Sequence, residues 1–209
     1  MWVQPLTLTG RIVRLEPLQV EHAPGLMAAA QPALFKFSPQ APAEWSIAGF
    51  RADIEKLNAM PDVAPFAIVH QASNQVIGRT TYMDIREAHR GLEIGRTWIA
   101  RAHQGTAVNP EMKYLLLRHA FEELDAIRVQ LLTALENLHS QRAIAKLGAV
   151  REGVLRHHMV LPDGRYRDSV VFSITSNEWP GVKTRLEARL SSPLIRAEPD
   201  SEGSRVCRS

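Results

Sequence analysis

The order of apolar periods in this sequence predicts an α+β fold: a mixed, mostly antiparallel twisted sheet of about seven strands with helices on both faces. Three observations carry that expectation. Residues 66–70, 75–85 and 92–99 are β-branched and aromatic runs separated only by the turns 71–74 and 87–91, which makes an antiparallel meander. Residues 92–99, 110–124 and 128–133 then read strand, helix, strand. A connection of that length joins parallel strands through a right-handed crossover. Residues 150–161 and 166–174 flank Pro162-Asp163-Gly164-Arg165, which is hairpin turn chemistry.

The remaining elements fall around these. Arg11 to Glu16 forms a first strand ended by Pro17, and 19–30 reads as a helix weakened by Pro24-Gly25. Residues 31–42 are a loop holding Phe35 and Phe37. Glu44 to Met60 is a helix, with Trp45, Ile47, Phe50, Ile54 and Leu57 at three- and four-residue spacing and Pro61 as its stop. Its aromatic stripe suits a core face and equally a pocket wall. Gly78 marks a bulge in the second meander strand. After the crossover comes a short helix, 136–146, closed by Gly148 in the left-handed conformation. Residues 177–190 make a last helix. One domain over 1–190 with a polar tail, 191–209, is the expected organisation.

Composition narrows the class. The chain has 209 residues, 45% hydrophobic and 22% charged, which suits a globular domain with a continuous core. No apolar run approaches the eighteen or so residues of a membrane span, and the N-terminus has no export signal. A lone Cys207 forms no internal disulfide and fits a reducing cytoplasm. The net charge of +3 and pI near 9.3 allow nucleic acid, a membrane surface or an acidic small ligand as partner. The charges are scattered, and no basic stripe with interleaved aromatics supports nucleic acid. None of the eight histidines falls in a metal-binding spacing, so no metal is expected.

Chemistry concentrates between Glu93 and Leu124. A strand ending Trp98-Ile99 leads through the small-residue turn Ala102–Asn109 into a helix whose apolar stripe is Met112, Leu115, Leu116, Ala120 and Leu124. Asn109 is the expected cap and Pro110 the first helical residue. Strand, small-residue turn and helix start together aim backbone N–H groups and the positive helix end at one point, an anion site suited to phosphate. The turn has neither the Gly-Lys-Ser/Thr of a P-loop nor Gly-x-Gly-x-x-Gly.

The frame Ala102-x-x-Gly105-x-Ala107 resembles the acyl-CoA turn of the GCN5-related N-acetyltransferase (GNAT) superfamily, Gln/Arg-x-x-Gly-x-Gly/Ala, with Ala102 in place of the first residue. Asn137-Leu138-His139-Ser140 followed by Ala143 to Ala149 is similar to a second element of that superfamily. The opening 8–18, the Pro162-Asp163-Gly164 hairpin and the phrase 167–174 resemble its branch of ribosomal-protein acetyltransferases, RimJ and RimL. The resemblance spans roughly residues 6–180. It implies the GNAT acyl-CoA N-acyltransferase fold, acetyl-CoA as co-substrate, and direct attack of a primary amine on the thioester.

The resemblance also implies roles for particular residues. Strands 92–99 and 128–134 would splay apart. The pantetheine arm would lie in the wedge against the main chain of Trp98 and Ile99, whose side chains are equally well plain core. Gly105, Thr106 and Ala107 would offer amides to the pyrophosphate, flanked by Gln104 and Val108. Asn137 would meet the pantetheine amides or simply cap its helix. Arg142 would reach the 3′-phosphate or remain a solvated surface charge. A tyrosine usually protonates the departing thiolate, but its position here is Ile144, which leaves Ser140 as the acid or a surface residue. Glu93 is the candidate base, with ion pairing to Arg79 or Arg96 as the alternative. The missing Gln/Arg and Tyr keep a non-catalytic acyl-CoA-binding module as a second reading. The acceptor, a small molecule or a protein N-terminus, has no legible signature, and a homodimer is compatible with the sequence.

Overall fold

The computed structural model describes residues 2–38 and 41–192. The meander, crossover and hairpin join in a single eight-stranded sheet. In chain order the elements are β1 (Leu8–Thr9), β2 (Val13–Pro17), α1 (Ala23–Ala29), α2 (Ile47–Asn58), β3 (Ala64–His70), β4 (Gln75–Arg86) and β5 (Gly91–Ile99). There follow α3 (Val108–Arg118), β6 (Arg128–Ala134), α4 (Leu138–Ala145), β7 (Val150–Val160), β8 (Tyr166–Thr175) and α5 (Trp179–Ser191). The sheet order is β1-β2-β3-β4-β5-β6-β8-β7, antiparallel except between β5 and β6. The eighth strand is β1, two residues that the sequence reading left in the approach to β2. The expected tail and Cys207 lie outside the described residues, apart from Ser191, which ends α5, and Ser192.

Alternation along the strands sends side chains to two cores. Phe66 and Ile68 of β3 face Met112, Leu116, Val182 and Leu186 of α3 and α5. Ala67 and Val69, the intervening residues, face Leu26, Phe50 and Ile54 of α1 and α2. Helices therefore cover both faces. Within α2, Phe50, Ile54 and Leu57 are core, and Trp45 in the preceding loop packs edge-on against Phe35 and Phe50. That helix begins three residues later than the sequence suggests, because the Ser46 hydroxyl accepts from the Gly49 N–H at 3.1 Å and fixes the start.

The strands are not regular where they matter. Ile68 pairs with Gly78 and Val69 with Val76, so Ile77 is an extra residue on β4, next to the glycine expected to mark a bulge. A Cβ on Gly78 would lie 2.2 Å from the Trp98 carbonyl oxygen, so only glycine lets β5 come this close. A second irregularity lies on β5, where Arg79 pairs with Trp98 but Thr81 with Gly95. The extra residue falls at Arg96–Thr97, and Arg96 has φ +50. The crossover helix starts two residues earlier than expected, with Ala107 at the cap position and no side-chain cap; Asn109 lies inside the first turn and does not cap it. Its last turn, His119–Glu123, is wound as a π-helix.

Candidate active site

The parallel pair opens into a cleft. Only three rungs join β5 to β6: Gly91 to Arg128, Leu92 to Val129 and Glu93 to Gln130. Beyond the last rung β5 runs six residues to Ile99 and β6 four to Ala134, each paired on its outer side only. The two inner edges diverge, and a cleft of about 610 Å³ lies over them. Ile94 to Ile99 line one wall, Leu131 to Ala134 the other, and the turn before α3 and the start of α4 close one side.

That turn is braced by its own side chains. Gln104 Nε2 donates to the Ile99 carbonyl at 2.9 Å. The Thr106 hydroxyl donates to the His103 carbonyl at 2.8 Å and accepts from the Val108 N–H at 3.3 Å. No protein acceptor among the described residues takes the N–H groups of Gly105, Thr106 or Ala107. Gly105 has φ +77, and a Cβ there would meet nothing within 4 Å. The result is a prepared row of donors beside open space, at the positive end of an eleven-residue helix. Ala107 and Val108 are buried and face the core, so only their main chain is available to a ligand.

Across the cleft, Asn137 Oδ1 accepts from the Ser140 N–H at 3.1 Å and caps α4, which realises the capping role left open by the sequence. Asn137, Ser140 and Arg142 all line the cleft, with Lys146 and Arg189 adding positive charge. Ile144, where a tyrosine would stand, is buried in the core at the cleft wall. Trp98 and Ile99 are each 7% exposed, so their side chains are core; Trp98 stacks at a tilt against Phe35, 5.6 Å between centroids.

Glu93 stands on the last rung, 8% exposed, and Gln130 Nε2 donates to its Oε2 at 3.1 Å. Burial raises its pKa above the usual carboxylate value, and the Gln130 hydrogen bond pulls it back part of the way. The alternative of an ion pair with Arg79 or Arg96 does not hold: Arg79 is paired with Asp53 of α2, and Glu93 has no salt bridge among the described residues. Gly95 leaves the room that the carboxylate uses, since a Cβ there would approach Glu93 Oε1 to 2.8 Å.

Two residues of this site escaped the sequence reading. Lys113 of α3 is buried, lines the cleft and donates to the Thr97 hydroxyl at 3.2 Å. Burial brings its pKa down to about 7, with Glu93 acting against the shift. Its signal was helical: Lys113 stands one turn after Asn109, which faces the cleft. Arg167 of β8 reaches the Phe37 carbonyl at 3.0 Å and lines the same space. Glu111 is buried for a structural reason, accepting the N–H groups of Arg11, Ile12 and Val13 at 2.7–3.0 Å and so fastening α3 to β2. Among the described residues no group of three or more His, Cys, Asp or Glu is arranged to hold a metal ion, and no helix is long and apolar enough to cross a membrane.

The sequence of residues 13–150 matches the family model described as the acetyltransferase (GNAT) domain. The chain belongs to this family. It is 46% identical to a protein of T. thermophilus whose crystal structure is described provisionally as an acetyltransferase; the match covers 91% of this chain and 100% of that one, with a TM-score of 0.85. A GCN5-related N-acetyltransferase from Brucella melitensis is 32% identical over 93% of this chain and 89% of its own, TM-score 0.85. Mycobacterium smegmatis RimJ, solved in complex with CoA-disulfide, shares the fold at 24% identity and a TM-score of 0.77, covering 88% of this chain and 95% of that one. A Bacillus subtilis (strain 168) protein provisionally named the ribosomal N-acetyltransferase YdaF is 30% identical over 51% of this chain, and the match spans 57% of that relative's length. This GNAT chain is thus of an acetyltransferase family, with the fold its element order predicts.

Proposed function

We propose that this GNAT chain transfers an acetyl group from acetyl-CoA to a primary amine, of a small molecule or a protein N-terminus, by direct attack on the thioester. The observation that carries the reading is the early end of the β5–β6 ladder beside a turn whose N–H groups have no protein acceptor among the described residues. The turn fits a pyrophosphate, because small residues let the main chain approach and the helix end favours negative charge. Arg142, Lys146 and Arg189 supply cations along the cleft for the remaining phosphate. The open inner edge of β5 at Trp98 and Ile99 fits the pantetheine amides. A main-chain N–H on that edge stabilises the oxygen as the carbonyl gains charge.

Glu93 takes the proton of the acceptor ammonium, directly or through water. The amine nitrogen bonds the carbonyl carbon, the carbon–sulfur bond breaks, and Ser140 passes its proton to the departing thiolate while taking, directly or through water, the second proton that the attacking nitrogen sheds as the amide forms. Its hydroxyl donates to nothing among the described residues, which leaves it free for this task. Lys113 bonds Thr97 on the same side as Glu93 and sets the local charge. Positioning of the two substrates in one cleft carries much of the rate. The single cysteine of the chain is compatible with a cytoplasmic place of work, and the one continuous sheet supports 1–190 acting as one catalytic unit.

Titration calorimetry with acetyl-CoA, followed by CoA release over a panel of amines, tests the proposal. Binding with release from at least one amine is expected. Binding without release from any of them favours a non-catalytic coenzyme module, and no binding removes the proposal altogether.

A further inference from the structure

The acceptor side of the cleft is strongly cationic, and among the described residues only one of its four cations is held in an ion pair. Arg79, Arg96 and Arg167 line it together with Lys113. Asp53 is in salt-bridge contact with Arg79; Arg96, Arg167 and Lys113 have no ion pair among the described residues and feel Asp53, Asp62, Glu93 and Glu136 only from a distance. Arg167 is 8% exposed; one of its nitrogens is bonded to the Phe37 carbonyl, while its Nε is buried with no hydrogen-bond partner. Arg96 makes no hydrogen bond and no ion pair among the described residues, and its Nε too is buried and unpartnered. Burial and the neighbouring Arg79 charge hold the Arg96 pKa down, and the more distant Asp53, Asp62 and Glu93 offset this only in part.

Local structure explains how Arg96 comes to face this space. It is at the β5 bulge, in the left-handed region that non-glycine residues seldom occupy. Bulges re-aim side chains beside active sites. A guanidinium nitrogen buried without a hydrogen-bond partner is costly, and that cost is recovered when a ligand supplies the acceptor atom. A planar carboxylate matches the guanidinium fork best. A plain alkyl diamine or polyamine would bring a second positive charge to the same arginines and be repelled.

We infer that the acceptor is an amine that also carries a carboxylate, and that Arg96 and Arg167 bind that carboxylate while Glu93 receives the amine. This rests on the acetyl-transfer reading and names the substrate class of that site. The carboxylate has two sources: the α-carboxylate of a free amino acid, or an acidic side chain close to a peptide N-terminus.

Matched pairs separate them and test the inference. Methionine is compared with methioninamide, and the dipeptide amide Ala-Glu-NH₂ with Ala-Gln-NH₂. Each is assayed for CoA release, and each acetylated product is titrated into the protein with and without CoA. In at least one pair the acid is expected to exceed its amide by about tenfold or more in kcat/KM and in product affinity, as charge-assisted hydrogen bonds give. Arg96→Gln should shrink that ratio to about twofold while coenzyme affinity is unchanged, and Arg96→Lys should restore part of it. Acid and amide bound equally in both pairs, or neither bound at all, overturns the inference. Acid-selective product binding without CoA release from any amine supports the carboxylate site and counts against acetyl transfer alone.

Discussion

Around Gly105 the cleft offers main chain; around Glu93 it offers buried charged side chains. The first region is small and self-braced. Its donors are peptide N–H groups, its side chains are spent on holding the turn, and a Cβ at Gly105 would meet open space. The second is crowded and electrically unbalanced. Glu93 and Lys113 are both buried, with pKa values displaced toward neutrality from opposite sides. The contrast separates two tasks. A ligand bound through main chain and helix end is held the same way throughout the reaction, whereas proton transfer needs groups whose charge changes easily near neutral pH.

If the charged region does the chemistry, the largest effect belongs to Glu93. Glu93→Gln keeps the shape and the contact with Gln130 but cannot take a proton. It is expected to lower kcat/KM by about 10²–10⁴-fold, with acetyl-CoA affinity unchanged by calorimetry. Wild-type rates in the variant would remove Glu93 from the mechanism. Gln130→Met sharpens the assignment. It removes the hydrogen bond that lowers the Glu93 pKa, so that pKa rises further and the acid limb of the pH–rate profile moves to higher pH. An unmoved limb would assign it to another group.

Lys113 gives a stability signature. Its folded pKa is about 7 against an ordinary 10.5. Between those values the unfolded chain binds a proton that the folded protein does not, so stability rises with pH across that window. Below about 7 the folded protein carries a buried ammonium. Lys113→Met should therefore gain about 1–2 kcal/mol at pH 6 in urea unfolding, with the gain shrinking toward pH 10. Activity should fall as the charge balance around Glu93 is lost. A gain independent of pH would mean that the Lys113 pKa is the same in the folded and unfolded chain, so that burial does not lower it.

Two glycines separate the regions by packing. Gly78→Ala drives a methyl into the Trp98 carbonyl and should cost about 1–3 kcal/mol of stability as overpacking does. Gly105→Ala meets no atom, so only the positive φ is penalised, by about 1–2 kcal/mol. Its methyl, however, enters the cradle, and acetyl-CoA affinity should drop by more than the stability loss accounts for. Equal affinity in Gly105→Ala and wild type would show that the turn is not where the coenzyme rests.

The same division decides what the sequence could reveal. The main-chain region is local: Trp98, the small turn and Pro110 lie within thirteen residues, and their order alone predicts a strand, a turn and a helix end. The sheet was readable for the same reason, since its meander, crossover and hairpin are each contiguous. The charged region is assembled from distant segments. Arg79 finds Asp53 on α2, Lys113 reaches back to Thr97, and Arg167 meets Phe37 across 130 positions. No spacing rule pairs such residues, so the sequence left Glu93 with Arg79 or Arg96 as partner, and the fold gave it Gln130. Asn109 failed differently. It has the residue type of a cap, but Ala107 occupies the cap position because Thr106 already braces the turn.

Asn137 is where the two kinds of region meet, and it carries the smallest expected effect. Its Oδ1 is committed to the Ser140 N–H, which leaves only the Nδ2 to meet a ligand. Asn137→Asp keeps a capping oxygen and removes that donor. Asn137→Ala removes both and should cost about 1 kcal/mol of stability. If Asn137 only caps, Asp binds acetyl-CoA as wild type does and Ala loses stability alone. If it also holds the pantetheine arm, Asp retains full stability yet loses about threefold to tenfold in coenzyme affinity, the value of one hydrogen bond. The second outcome is expected, because Ser140 and Arg142 on the same helix line the cleft beside it, so a cap at this point is also a wall.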